Sequence, residues 1–194
     1  MPSGERVCAL GTDILWAAHR VDVPWRNGAG VTSEILVSPA VGDFDWRLSI
    51  ATVDSTAPFS TFAGVDRCLL ALSEQGLDLI DQGRLVRLGE FESHSFAGEN
   101  EVASANVARP TLDLNLMTRR GRCSGTIESH RVADTWSITA RAGEIVVVVI
   151  ARGLFSLGAQ PLAVLDAVRL DANLDALTLT GIGELAVAHI SPAV

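Results

Sequence analysis

Val23-Pro24-Trp25-Arg26-Asn27-Gly28-Ala29-Gly30-Val31-Thr32-Ser33-Glu34 joins a glycine-spaced turn to the start of a β-strand. A plain hairpin needs the turn residues but not the Trp-Arg-Asn before them. Thr32 and Glu34 stand two apart, so a strand puts them on one face. The stretch reads as an entrance loop followed by a strand that presents polar groups to something small.

The same texture continues outward. Short apolar or alternating runs, cut by Gly, Pro, Asp and Asn, predict strands at 31–37, 46–53, 68–72, 77–80, 85–88, 102–107, 112–117, 136–139, 145–151, 154–157, 163–170, 177–180 and 185–190. Many short strands at turn-punctuated spacing predict an all-β sandwich or barrel. Residues 13–20 read as a helical turn with Leu15, Ala18 and His19 on one side. Residues 166–177 admit a helical reading, but strand and loop fit better.

An internal echo suggests two copies of one β unit. Residues 68–72 lead through Ser73-Glu74-Gln75-Gly76 into Leu77-Asp78-Leu79, and residues 146–150 lead through Ala151-Arg152-Gly153 into Leu154-Phe155-Ser156-Leu157. A polar turn, an alternating strand and an acidic residue, Glu90 or Asp166, follow each.

A chain of 194 residues with 48% hydrophobic and 20% charged residues can bury a sizeable core. The net charge is −8, and all fifteen basic residues are arginine. That balance speaks against nucleic acid, which needs a clustered positive surface. Arg119, Arg120 and Arg122 are the one compact basic group and are too few to reverse it. The three cysteines, Cys8, Cys68 and Cys123, are odd in number and far apart, as in a reducing compartment. No signal peptide is legible, and the apolar run 145–151 is far too short to span a membrane. A soluble cytoplasmic protein is expected.

Two kinds of chemistry lack a motif. His19, His94, His130 and His189 lie far apart in sequence, without the paired spacing metal sites commonly use, so no metal is expected. There is no Gly-x-Ser-x-Gly elbow, Cys68 reads as an inert core thiol, and Ser60 has no histidine nearby in sequence. Polar residues in strand contexts stand out instead. In residues 45–51, Trp46, Leu48 and Ile50 share one face, while Arg47, Ser49 and Ala51 take the other, towards solvent or a cavity. Arg67 stands at the mouth of an apolar strand. Along residues 113–120, Asp113, Asn115 and Met117 share a face. Arg, Asn, Ser and Thr converging in an apolar barrel suit a small carboxylate or amide, because Arg offers forked donors and Asn both donates and accepts.

Taken together, residues 24–34, residues 46–51, Pro58-Phe59-Ser60 with Gly64-Val65-Asp66-Arg67, and residues 113–120 resemble the HutD/Ves family of bacterial bicupins. They occur in the family's order. Ala29 stands where the family often has Gly, and Arg26 where it often has Lys. The resemblance implies an all-β double-stranded β-helix (jelly-roll) bicupin of the RmlC-like type, with two barrels in one chain. On that reading residues 1–122 form the N-terminal barrel and residues 123–194 the C-terminal one. It also implies a metal-free protein without cofactor, linked in some members to histidine catabolism. There it would restrain pathway output by sensing an intermediate, with N-formylglutamate a candidate.

The leading reading is therefore a regulatory protein that binds a small carboxylate metabolite, with no nucleic-acid or membrane partner and a possible homodimer. Asn27, Thr32, Glu34, Arg47, Ser49, Arg67 and Asn115 are expected to line the N-terminal cavity, with Trp25, Trp46, Phe59 and Met117 as walls or supports. Each has a structural alternative: Trp25 as a plug under the loop, Glu34 and Arg67 as a barrel-mouth ion pair, Asn115 as a backbone cap. A metal-independent isomerase or hydrolase with Glu34 as general base is the second reading. A protein-interaction module using an exposed β edge is the third.

Overall fold

The computed structural model describes residues 8–9, 12–25, 27–172 and 176–193, so Arg26 of the entrance loop lies outside the described residues. The strands in chain order are β1 (Cys8–Ala9), β2 (Thr12–Leu15), β3 (Asp22–Pro24), β4 (Gly30–Ser38), β5 (Trp46–Val53), β6 (Val65–Ala71), β7 (Leu77–Asp81), β8 (Arg84–Leu88) and β9 (Ser93–Ala97). They continue with β10 (Val102–Ala105), β11 (Thr111–Arg119), β12 (Cys123–Val132), β13 (Thr135–Ile138), β14 (Ile145–Leu157), β15 (Gln160–Leu162), β16 (Ala167–Asp171) and β17 (Leu177–Pro192). Among the described residues one short 3-10 turn, Ala17–His19, is the only helix. No helix there is long and apolar enough to cross a membrane.

The chain divides into two compact units. One holds residues 21–127 with Ala193, and the other holds residues 128–192 with the described residues up to Arg20. The sequence-based division at 122/123 assigns the first twenty residues to the N-terminal barrel. In the structure, Thr12–Leu15 pairs with β16, Leu15 opposite Ala167 and Ile14 opposite Val168. Ile14 is buried in the apolar cluster of that second unit. The expected helical turn at 13–20 is thus strand over its first three residues and a 3-10 turn over Ala17–His19. Its remainder is held by Ala17 N–H donating to Asp166 Oδ1 at 2.7 Å and by Arg20 donating to the Leu165 carbonyl at 2.7 Å.

The first unit has a six-stranded antiparallel sheet, β3-β4-β5-β11-β6-β9, and a three-stranded sheet, β10-β7-β8. Leu69, Ala71 and Phe96 of the larger sheet pack against Leu77, Leu79, Leu88 and Val102 around the smaller one. That contact fixes which face of the six-stranded sheet looks into the unit. The opposite face, with Trp46, Leu48, Ile50, Leu114 and Leu116, is buried as well.

The second unit is built on the order β1-β2-β16-β14-β17-β12, with β13 on β17 and β15 on β14. Val146, Val148, Ile150, Val168, Leu170, Leu185 and Val187 form its core. Residues 151–153 do not turn the chain as the internal echo predicts; β14 runs straight through them, with a bulge between Ile150 and Arg152. Likewise 177–180 and 185–190 are one strand, β17. Gly153 and Gly183 lie opposite each other in this pair. A Cβ on either would sit 2.0 Å from a carbonyl oxygen of the facing strand. These glycines permit close backbone approach within strands, where the sequence suggested breaks.

Candidate functional site

The inner face of the six-stranded sheet carries an unusual set of polar residues, placed by strand register alone. On β11, Asp113, Asn115 and Met117 alternate with Leu114 and Leu116, so they share a face. Met117 lies between Arg47 of β5 and Arg67 of β6, and Arg67 faces Phe96 of β9. Asn115 lies between Ser49 and Leu69, and Asp113 between Ala51 and Ala71. Neighbouring strands are about 5 Å apart. The two arginines therefore flank Met117, while Asp113 has only alanines beside it.

Almost all of this row is dry. Ser49 is 1% exposed, Asp113 1%, Met117 2%, Asn115 5% and Arg67 6%. The Arg67 guanidinium sits 5.0 Å from the Phe96 ring centre, 5.3 Å from Phe59 and 6.0 Å from Phe62. This aromatic cage stabilises a buried cation through the ring faces. Its one direct hydrogen bond is long, from Nη1 to the Ser60 carbonyl at 3.4 Å. Arg47 is half-buried, with its guanidinium 5.7 Å from the Phe44 ring centre.

Several polar atoms of this face have no hydrogen-bond partner within the protein. They are Nε of Arg47 and Arg67, Oδ1 of Asn115, and both carboxylate oxygens of Asp113. Buried polar groups are normally paired, and an unpaired one costs about 1–3 kcal/mol. Burial pushes the Asp113 carboxyl up to about 7, against the opposing charge of Arg67. Burial also lowers Arg67 to about 10, with Asp113 raising it and the like charge of Arg47 lowering it. Arg67 remains a cation at neutral pH, while Asp113 is poised between its two forms.

The entrance loop is tied to this face. Trp25 Nε1 donates to Thr32 Oγ1 at 2.8 Å, and the Trp25 ring meets Phe59 edge-on at 5.9 Å. Thr32, Trp25, Phe59 and Arg67 thus form one continuous chain of contacts. Asn27 is exposed, and its Oδ1 accepts the Ala29 N–H at 3.1 Å, which closes the turn. Gly28 takes the left-handed φ of 69° in that turn, and Ala29 is not among the positive-φ residues. The Gly-to-Ala difference from the family pattern at position 29 therefore asks nothing unusual of the backbone.

Not every expected residue joins the cluster. Trp46 is buried on the opposite face of β5 from Arg47, so it neither walls nor supports the inner row. Glu34 is exposed beside a bulge that shifts the β4 register between Glu34 and Leu36. An exposed carboxylate lacks the desolvated setting that a general base at this position needs. Asp113, Phe62 and Phe96 belong to the cluster but were missed as site residues. Asp113 had a usable signal: it stands two before Asn115 on the same strand.

Other polar groups are satisfied internally. An open cleft of about 240 Å³ is lined by Gln75, Asp78, Asn106, Arg109 and Thr111 among others, and none of the expected site residues lines it. There Asn106 donates to Asp78 at 2.8 Å and Thr111 to the Gly76 carbonyl at 2.8 Å. In the second unit His130 and His189 both approach Glu128 Oε1, at 2.9 and 3.4 Å, and His189 Nδ1 lies 2.9 Å from Glu144. Among the described residues no group of three His, Cys, Asp or Glu is arranged to hold a metal ion. Arg120 is paired with Glu99 and Asp66, and Arg122 with Asp45.

A family model, HutD, matches residues 17–187. Protein Ves of Cronobacter sakazakii is 42% identical over 120 residues, covering 61% of this chain and 65% of that protein's length. A 21.2 kDa protein from the hutC 3' region of Pseudomonas putida is 32% identical over 167 residues, covering 81% of this chain and 85% of its own length. Among solved structures, HutD of Pseudomonas fluorescens SBW25, described under a formate condition, superposes with a TM-score of 0.80 at 24% identity, covering 94% of this chain and all of that one. The fold is all-β, as the strand pattern predicts, and the cupin-like jelly roll that the resemblance implies.

Proposed function

This chain belongs to the HutD family, and from that premise we propose that it binds a small carboxylate metabolite on the inner face of its six-stranded sheet. The observation that carries this reading is the set of unpartnered, buried polar atoms on Arg67, Asn115 and Asp113. A ligand carboxylate meets Arg67, whose forked donors match its geometry. Arg47 supplies a second cationic group across Met117. Ser49 and Asn115 supply neutral hydrogen bonds, and Phe59, Phe62 and Trp25 close the apolar side. Each compact unit is read as one cupin-like barrel.

The role is regulatory: the protein senses an intermediate of histidine utilisation, with N-formylglutamate as the candidate ligand. The hut naming of two relatives supports that link. A thermal-shift screen of histidine-pathway intermediates and other small carboxylates tests it. A specific ligand stabilises the fold by about 2.7 kcal/mol at one hundred times its dissociation constant. A screen in which no small carboxylate moves the transition removes the proposal.

A further inference from the structure

We infer that Asp113 is a binding residue that works as a neutral acid, donating a hydrogen bond to the bound anion, so that ligand binding carries one proton into the site. The inference rests on the proposed carboxylate site and adds to it a residue and a proton.

The geometry leaves Asp113 few alternatives. It is 1% exposed and neither oxygen has a partner within the protein. Ala51 and Ala71 flank it in register, so no neighbouring side chain on those strands reaches across to donate. It shares a strand face with Asn115, whose Oδ1 is also unpartnered. The charged or titratable groups on the strands of this sheet are Asp22 on β3, the exposed Glu34 on β4, Arg47 on β5, Asp66 and Arg67 on β6, Arg119 on β11 and His94 on β9; the facing sheet carries Asp78 and Asp81 on β7 and Arg84 and Arg87 on β8, with His94 bound to Asp81 at 2.9 Å.

Without ligand, the Arg67 cation is what favours the ionised form of Asp113. An anion drawn to Arg67 takes up that positive charge and sets two carboxylates near each other in a dry site. Two such groups cannot both remain ionised cheaply, and one of them takes a proton. Burial already holds Asp113 near 7, whereas a free carboxylate lies near 4, so the proton goes to Asp113. The balance is simple: one solvent proton moves to a carboxylate oxygen, no covalent bond of the ligand changes, and the new O–H donates to the ligand. The second oxygen stays an acceptor, available to a ligand N–H.

The test is calorimetric titration with N-formylglutamate from pH 6 to 9, in two buffers of different ionisation enthalpy, on the wild type and Asp113→Asn. The ligand's own carboxylates do not titrate in this range. In the wild type, the apparent Kd should rise about tenfold per pH unit above neutrality, roughly 90-fold over the range. The buffer dependence should report uptake approaching one proton per ligand at the alkaline end. Asp113→Asn keeps a donor and loses the titration, so its Kd should stay level within about threefold. Binding without proton uptake, or an unchanged pH profile in Asp113→Asn, overturns this inference and leaves the carboxylate site standing. No binding by the wild type at pH 6 overturns both. The buffer comparison on the wild type decides the matter even if the variant fails to fold.

Discussion

Replacing Asp113 by Asn should make the unliganded protein more stable, and the gain should grow with pH. The carboxyl titrates at 3.8 when exposed and at about 7 in the folded chain, because burial disfavours its charge more than Arg67 favours it. An acid whose folded value is raised contributes stability that is complete below the exposed value and is lost as the pH rises through the folded one. The full difference corresponds to roughly 4 kcal/mol against the ionised form above neutrality. Between pH 5 and 8 the wild type should lose about 2–3 kcal/mol that the Asn variant keeps. Urea denaturation of both proteins at the two pH values measures this directly, provided the slopes agree so that midpoints report stability. A stability difference that is the same at pH 5 and pH 8 would refute the reasoning, because Asp113 would then not change its ionisation on folding.

Three further outcomes follow from contacts in the first unit. Ser104 is fully buried; its Oγ accepts the Ala57 N–H at 3.0 Å and donates to the Ser55 carbonyl at 3.0 Å. Ser104→Ala should cost about 1–3 kcal/mol in chemical denaturation, because a buried N–H is left unpaired. At Gly30 a Cβ would lie 2.3 Å from the Thr52 carbonyl oxygen and 3.1 Å from the Trp25 ring. Gly30→Ala should therefore destabilise by about 1–3 kcal/mol, and a melting temperature equal to wild type would show that the loop yields freely. Trp25→Phe removes the indole hydrogen bond to Thr32 but keeps an aromatic ring beside Phe59, so its cost in urea should be only about 1 kcal/mol.

Much of the fold was legible where side-chain alternation is strong. Residues 46–53 form β5 with the predicted bounds, since each strand face there carries a consistent set. What failed had physical causes. β9, Ser93–Ala97, and β12, Cys123–Val132, are polar on much of their exposed surface and give little apolar signal. β14 and β17 were split at glycines that serve close pairing within the sheet. On the inner face of the six-stranded sheet, the grouping of Arg47, Ser49, Arg67, Asn115 and Met117 was legible in part because a strand face fixes which residues stand together. The bulge between Glu34 and Leu36 and the exposure of Glu34 have no signature in the sequence around them. Trp46, expected as a wall or support, lies on the face of β5 opposite Arg47, as alternation requires. Alternation places Asp113 on the same face as Asn115, but its lack of a partner shows only in the packed structure.

In the proposed binding mode Arg67 anchors the ligand carboxylate. Calorimetric titration of N-formylglutamate at pH 6 into the wild type, Arg67→Ala and Arg47→Ala tests it most directly. Loss of the charge-assisted hydrogen bond at Arg67 should weaken binding by roughly 1.5–3 kcal/mol, about 10–150-fold, in a variant that still unfolds cooperatively. Unchanged affinity in Arg67→Ala would contradict that role, whatever Arg47→Ala does.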